Sequence, residues 1–330
     1  MMVLVSHYTF CSTFSLPKES WLYWFDGKLG VRCFFTISGF LITWLLICEK
    51  AKTSTVSLKN FYVRRSLRIL PVYVSILLVL WIMHLCQHPY QGALIWIGLL
   101  TFTRNFLGVE STGGIVSGHL WSLSIEEQFY FLWPGIFTLL IDSKLSKRCL
   151  YGLLGLVLVA SPLCRTLSLL GEYPAKLRFS LFGEFSTFMY LDCLAYGCFA
   201  AFVLFYKRDE IENFFKKWGI LVSMVSGLFI LIPYVVKLGN AFQAVGFSIL
   251  ILYSVVNPAS YLYKILNLSW VSRIGMLSYS LYVWQQISWN LFDLGRFWVF
   301  SILPIFGIAW ISYAFIERPF LKIRNRFRAV

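Results

Sequence analysis

The amino-acid sequence predicts an all-α integral membrane protein, a bundle of about ten transmembrane helices making one domain over residues 1–330. Composition is the first ground. Of the 330 residues 58% are hydrophobic and 19% aromatic, only 13% are charged, and the mean hydropathy is +0.71, a balance that soluble domains do not carry. The second ground is the recurrence of apolar runs long enough, at about 1.5 Å of rise per residue, to cross a hydrocarbon core of about 30 Å. The third is that Lys and Arg gather in links between the runs, as they do on the cytoplasmic side of membranes, which accounts for the net charge of +14 without nucleic acid. No RGG, zinc-knuckle or basic-aromatic module is present, and no nucleic-acid partner is expected.

The elements follow in order. Residues 1–16, MMVLVSHYTFCSTFSL, are apolar and precede the first basic residue, Lys18, so they lack the basic region of a leader. Sixteen helical residues reach only about 24 Å, and this first span is expected to be truncated at its beginning. A second span covers residues 30–48. The polar link EKAKTSTVSLKN and the stretch FYVRRSLRILP follow, and a third span runs to about Cys86, with Pro71 expected in its first turn, where a missing N–H costs little.

Residues 92–106 are apolar but brief. If they crossed, the basic links 144–148 and 207–217 and the basic tail would lie opposite the arginine stretch, against the positive-inside bias. They are therefore expected to form a re-entrant or surface segment, which leaves both chain ends cytoplasmic. Further spans are expected at about 121–141, 149–164, 186–206, 218–236, 241–257, 274–292 and 297–316.

The eight cysteines show neither a CxxC pair nor histidines at zinc spacing, and they read as packing residues. His84 and His88 supply too few ligands for a metal, and none is expected.

Charged and polar groups inside the spans are few and mark candidate chemistry. Arg64, Arg65 and Arg68 lie at i,i+3 and i,i+4 spacing, so their charges crowd one helix surface and call for an anion such as phosphate, which the planar guanidinium fork suits. The same residues also satisfy the positive-inside bias with no ligand. His7, in the first span, is either a general base for a hydroxyl or a histidine bonded to a neighbouring helix.

Glu126 and Glu127 point about 100° apart, so one is expected to face the site and the other to pair with an arginine or cap backbone groups. Glu126 could orient His7. Trp121, Tyr130 and Trp133 fit an interfacial aromatic belt or stacking on a sugar. Ser38 and Gly39 fit close helix packing or a substrate contact.

The phrases GVRCFFTISGFLIT, FYVRRSLRILP, GHLWSLSIEEQFYFLWP, YSLYVW and FIERPF, in this order over nearly the whole chain, resemble the membrane-bound acyltransferase-3 family. The resemblance implies an enzyme of the bacterial cytoplasmic membrane that moves an acyl group, usually acetyl from acetyl-CoA, to a hydroxyl. The acceptor is a cell-surface, exported or lipid-linked carbohydrate, and membrane lipids surround the bundle.

By position it implies His7 as catalytic base, Glu126 as the motif glutamate, and Arg65 and Arg68, beside Arg64, as the paired arginines that hold the acyl-CoA. Ser122 and Tyr279 lie within matching motifs and join Ser38, Trp121, Glu127 and Tyr130 as further site candidates. Three positions depart from the pattern. An arginine expected eleven residues before His7 would precede Met1, Arg32 replaces an acidic residue, and Gln285 stands where histidine is usual. No additional extracellular domain is expected after FIERPF. Two other readings stay open from the residues alone: a transporter or flippase for an anionic or glycosylated lipid, and a catalytically inert family member.

Overall fold

The computed structural model describes residues 3, 4, 6, 27–86, 92–107, 115–141, 144–170, 185–236, 241–291 and 303–327. Every element among them is helical. In chain order they are α1 (Gly27–Thr53), α2 (Leu58–Leu85), α3 (Ala93–Leu100), α4 (Trp121–Leu140), α5 (Lys144–Leu170), α6 (Leu191–Tyr206), α7 (Arg208–Val236), α8 (Ala241–Val256), α9 (Tyr261–Leu266), α10 (Ser269–Leu291), α11 (Leu303–Ser312) and α12 (Arg318–Arg324). A π turn, Tyr313–Glu317, joins α11 to α12 without a break. Short 3-10 turns at Arg104–Phe106, Ile115–Leu120, Thr187–Met189 and Asn325–Phe327 complete the elements.

Among the described residues, four segments are long and apolar enough to cross a membrane by length and composition: Gly27–Thr53, Leu58–Leu85, Arg148–Arg165 and Arg208–Pro233. Leu191–Tyr206 and Ala241–Val256 are shorter apolar helices. Large apolar side chains such as Leu78, Phe131, Leu139 and Ile220 face outward, as a surface solvated by lipid tails requires and one solvated by water does not. From the predicted first span, Leu4 is buried in the main core and Ser6 lies against Gly27.

Two sequence expectations change. Pro71 does not open the third span: α2 starts thirteen residues earlier, at Leu58, where the Ser57 side chain accepts from the Asn60 N–H at 3.3 Å. The helix runs through the proline, as lipid-buried helices can when neighbours hold the local backbone, and Tyr279 of α10 donates to the Ile69 carbonyl at 2.8 Å. The link 207–217 is also helical from Arg208 onward, forming about the first three turns of α7, with Lys207–Glu210 and Arg208–Glu212 ion pairs at 2.8 and 2.9 Å.

α1 and α6 approach each other most closely, through reciprocal glycines. A Cβ on Gly39 would lie 2.1 Å from the Leu194 carbonyl oxygen, and one on Gly197 would lie 2.1 Å from that of Thr36. Only hydrogen fits at either point, which is how small residues let membrane helices meet backbone to backbone.

Contacts of α4 decide the course of residues 92–106. Against α1, Ser38 meets Glu126 and Thr43 meets Trp133, so these helices run parallel. Against α2, Tyr62 meets Phe131 and Arg65 meets Tyr130, and Arg65 acts on Glu126 one turn earlier, so these run antiparallel. That order requires the link between α2 and α4 to return without crossing.

The segment does return. α3 is only eight residues long, the chain reverses at Phe102 with φ of 53°, and the Thr103 N–H bonds back to the Gly98 carbonyl at 2.8 Å. Its tip reaches deep into the bundle. Tyr73, twelve residues or about 18 Å before the end of α2, donates to the Leu99 carbonyl at 2.7 Å and stacks on Phe102 at 4.7 Å.

Candidate active site

The site is built around α4. Glu126 is 2% exposed, and one carboxylate oxygen, Oε1, accepts from Ser38 Oγ of α1, while Tyr130 OH, one turn further along α4, lies 3.1 Å from both that oxygen and Ser38 Oγ. The i,i+4 spacing brings Glu126 and Tyr130 to one face, and the small Ser38 side chain completes a closed triangle. Gly39, its neighbour, turns toward α6 instead, so Ser38 touches the carboxylate while Gly39 serves packing.

α2 contributes the cations. The Arg65 guanidinium lies over the Tyr130 ring at 5.1 Å and over Phe61 at 5.8 Å, contacts that desolvated aromatic faces make favourable. Arg65 and Arg68 both act electrostatically on Glu126. Glu127 points elsewhere, as 100° per residue dictates. Its buried Oε1 makes no hydrogen bond among the described residues, and it lies within electrostatic reach of Arg65, Tyr73 and Tyr279.

Arg64, expected beside Arg65 and Arg68, is tied elsewhere. Its Nη2 pairs with Glu49 Oε2 at 2.8 Å and its Nη1 donates to the Phe327 carbonyl at 2.8 Å. Glu49 also accepts from the Ser57 N–H at 2.9 Å. One carboxylate thus joins the end of α1, the start of α2 and the C-terminal turn. Arg65 and Arg68 make no salt bridge among the described residues.

Toward the other membrane face, Ser122 hydrogen-bonds Tyr282 OH of α10, which donates to the His119 carbonyl at 2.7 Å. The His119 ring sits against α10, with Nδ1 2.7 Å from Gln286 Oε1 and Nε2 3.0 Å from the Val283 carbonyl. Trp121 is packed into an aromatic cluster with Phe185 at 4.8 Å, Tyr190 at 5.1 Å and Phe35 at 6.2 Å. Its ring is buried there. His7 lies outside the described residues.

Four functional-looking residues escaped the sequence reading: Glu49, His119, Tyr282 and Glu317. Glu317 ends the π turn, is 3% exposed, accepts from Ser280 Oγ at 3.1 Å and senses the Arg68 charge. The signal available for it was an acidic residue inside the apolar run before FIERPF ends, the same criterion that picked out Glu126. His119 had no such signal, because it stands at the end of a polar, glycine-rich stretch before the span expected at 121–141.

A polar seam therefore crosses the bundle, from His119 and Gln286 through Ser122 and Tyr282 to Glu126, Tyr130 and Ser38, then to Arg65 and Arg68. Carboxylates, arginines and tyrosines gathered inside apolar helices define a membrane protein with an embedded polar site, the class that binds or transforms a polar ligand within the bilayer.

The chain belongs to the acyltransferase-3 family: the family model described as an acyltransferase domain matches residues 1–316. It is similar to a peptidoglycan O-acetyltransferase OatA of Listeria monocytogenes, 27% identical over 327 residues, covering 90% of this chain and 51% of that protein. It is also similar to an O-acetyltransferase OatA of Staphylococcus aureus, 28% identical over 331 residues, covering 90% of this chain and 53% of the relative. A putative O-acetyltransferase of the same species is 28% identical over 337 residues, covering 92% and 54%. The chain spans about half the length of these curated relatives. No solved structure matches it.

Proposed function

We propose that this chain is a membrane O-acetyltransferase that moves acetyl from acetyl-CoA to a hydroxyl of a cell-wall or exported carbohydrate. Family membership and the relatives' names support the reaction class. The observation that carries the reading is Arg65, unpaired by a salt bridge among the described residues, over the Tyr130 ring of the buried Glu126–Ser38–Tyr130 triangle, with Arg68 one turn further along α2 and within electrostatic reach of Glu126. Two guanidinium groups at one end of α2 suit the phosphates of a nucleotide thioester, and each charge-assisted hydrogen bond contributes about 1.5–3 kcal/mol.

In this reading Arg65 and Arg68 hold the donor at the cytoplasmic face with its thioester directed toward Glu126. His7 takes the proton of the acceptor hydroxyl as that oxygen attacks the acyl carbonyl. The carbon–sulfur bond breaks and the coenzyme leaves as a thiol once a proton returns to sulfur. Base assistance of this kind is worth roughly 10²–10⁴-fold in rate. Glu126, fixed by two hydroxyl groups, is a positioning residue that balances the cation formed on the base. The carbohydrate enters from the face of His119 and Gln286.

The test supplies membranes carrying the protein with acetyl-labelled acetyl-CoA and follows label into carbohydrate. Wild type is expected to label carbohydrate and His7→Ala is not. Label that stays on the coenzyme while lipid or sugar moves across the bilayer would replace this reading with transport.

A further inference from the structure

Arg104, just past the tip of the re-entrant segment, has no role in the reaction outlined above and is a buried cation with two unpartnered nitrogens. Its side chain is 0% exposed. Nη1 donates to the Leu107 carbonyl at 2.8 Å, whereas Nε and Nη2 are buried with no hydrogen-bond partner. No carboxylate of the described residues pairs with it.

The polar side chains around it satisfy one another instead. Gln128 Nε2 donates to the Phe102 carbonyl at 2.7 Å and to Asn105 Oδ1 at 2.9 Å, Asn105 Nδ2 donates to Thr187 Oγ1 at 3.0 Å, and Thr187 Oγ1 donates to Gln128 Oε1 at 2.5 Å. This ring fixes the segment to α4 and to the turn before α6, and it leaves the guanidinium aside.

Which nitrogens are open matters. Nε–H and the adjacent Nη2–H lie on one edge of the guanidinium and point the same way, the edge that grips a carboxylate or phosphate through two parallel bonds. Nη1, on the other side, is the anchor. A buried cation costs several kcal/mol unless an anion meets it, and within a membrane protein such a group marks a ligand path. The segment enters from the end of α2 remote from the Arg64–Glu49 pair, so the anion comes from the face opposite the donor arginines.

We propose that Arg104 is an oxyanion site that receives the carboxylate or phosphate of the acceptor, a deepening that rests on the O-acetyltransferase reading for the word acceptor only. The site selects acidic acceptors by pairing its open edge with them, and neutral sugars leave that edge unmet.

The test is ligand-induced thermal stabilisation of the purified protein in phosphatidylcholine nanodiscs. One arm adds N-acetylmuramic acid, with N-acetylglucosamine as the neutral control. The second arm incorporates a polyprenyl phosphate, with the matching polyprenol as control. Wild type is expected to be stabilised by the acidic member of at least one pair and not by its neutral counterpart, and the responding arm tells sugar carboxylate from lipid phosphate. Arg104→Gln is expected to weaken that binding about tenfold or more, and Arg104→Lys, which keeps the charge but loses the fork, by less.

Acid and neutral members stabilising equally, or Arg104→Gln binding the acid as tightly as wild type, would overturn the site. Binding is read without turnover. Selective binding without acetyl transfer would therefore leave the site standing and remove the reaction, and transfer with unselective binding would do the reverse.

Discussion

Glu126 gathers two hydroxyl groups on a single carboxylate oxygen, and that sharing sets how substitutions combine. Ser38→Ala and Tyr130→Phe each remove one group that the buried carboxylate relies on and are expected to cost about 1–3 kcal/mol of stability. The double variant is expected to lose measurably less, or more, than the sum, by about 0.5 kcal/mol or greater, because both act on one oxygen. Thermal unfolding of the four proteins in detergent checks this, and strict additivity would separate the two contacts. The pair Glu126 and Glu127 was legible as two carboxylates that cannot share a direction, since adjacency on a helix decides that. The Ser38 partner of Glu126 was not, because it lies 88 residues away. Arg64 shows the same limit: its spacing placed it with Arg68, but Glu49 and the Phe327 carbonyl, 15 and 263 residues distant, draw it off.

Among elements, α1 and α6 are held at a separation that only two glycines allow. Gly39→Val and Gly197→Val each set side-chain carbon against backbone rather than against a side chain that can move aside. Each is expected to destabilise the protein by about 1–3 kcal/mol or more through overpacking, read as a lower unfolding temperature. Because α1 also carries Ser38, these variants are expected to lose activity together with stability. A Gly39 variant with unchanged unfolding would show that the helices do not meet there. The sequence signalled Gly39 as small beside Ser38 but offered nothing to distinguish packing from substrate contact. The re-entrant course of residues 92–106 was readable from charge parity, while the depth of its tip, set by Tyr73 and Phe102, required tertiary contacts.

At the scale of the whole molecule, the polar seam joins two faces of the membrane, and the reaction proposed for it needs them to be opposite faces. The proposed topology, read from charge parity, would put Lys52 on the cytoplasmic side and the exposed Cys86 on the other. An impermeant maleimide added to intact cells is expected to label Cys86 and not a cysteine placed at Lys52. Labelling at both positions, or at the Lys52 position alone, would break the two-sided arrangement.

The most direct measurement of the central account is the dependence of acetyl transfer on acetyl-CoA concentration in wild type, Arg64→Ala, Arg65→Ala and Arg68→Ala. Loss of Arg65 or Arg68 is predicted to raise the KM for acetyl-CoA about tenfold or more. Loss of Arg64, whose partners are Glu49 and the Phe327 carbonyl, is predicted to lower stability while leaving that KM within about twofold. An unchanged KM in both Arg65→Ala and Arg68→Ala would contradict the account.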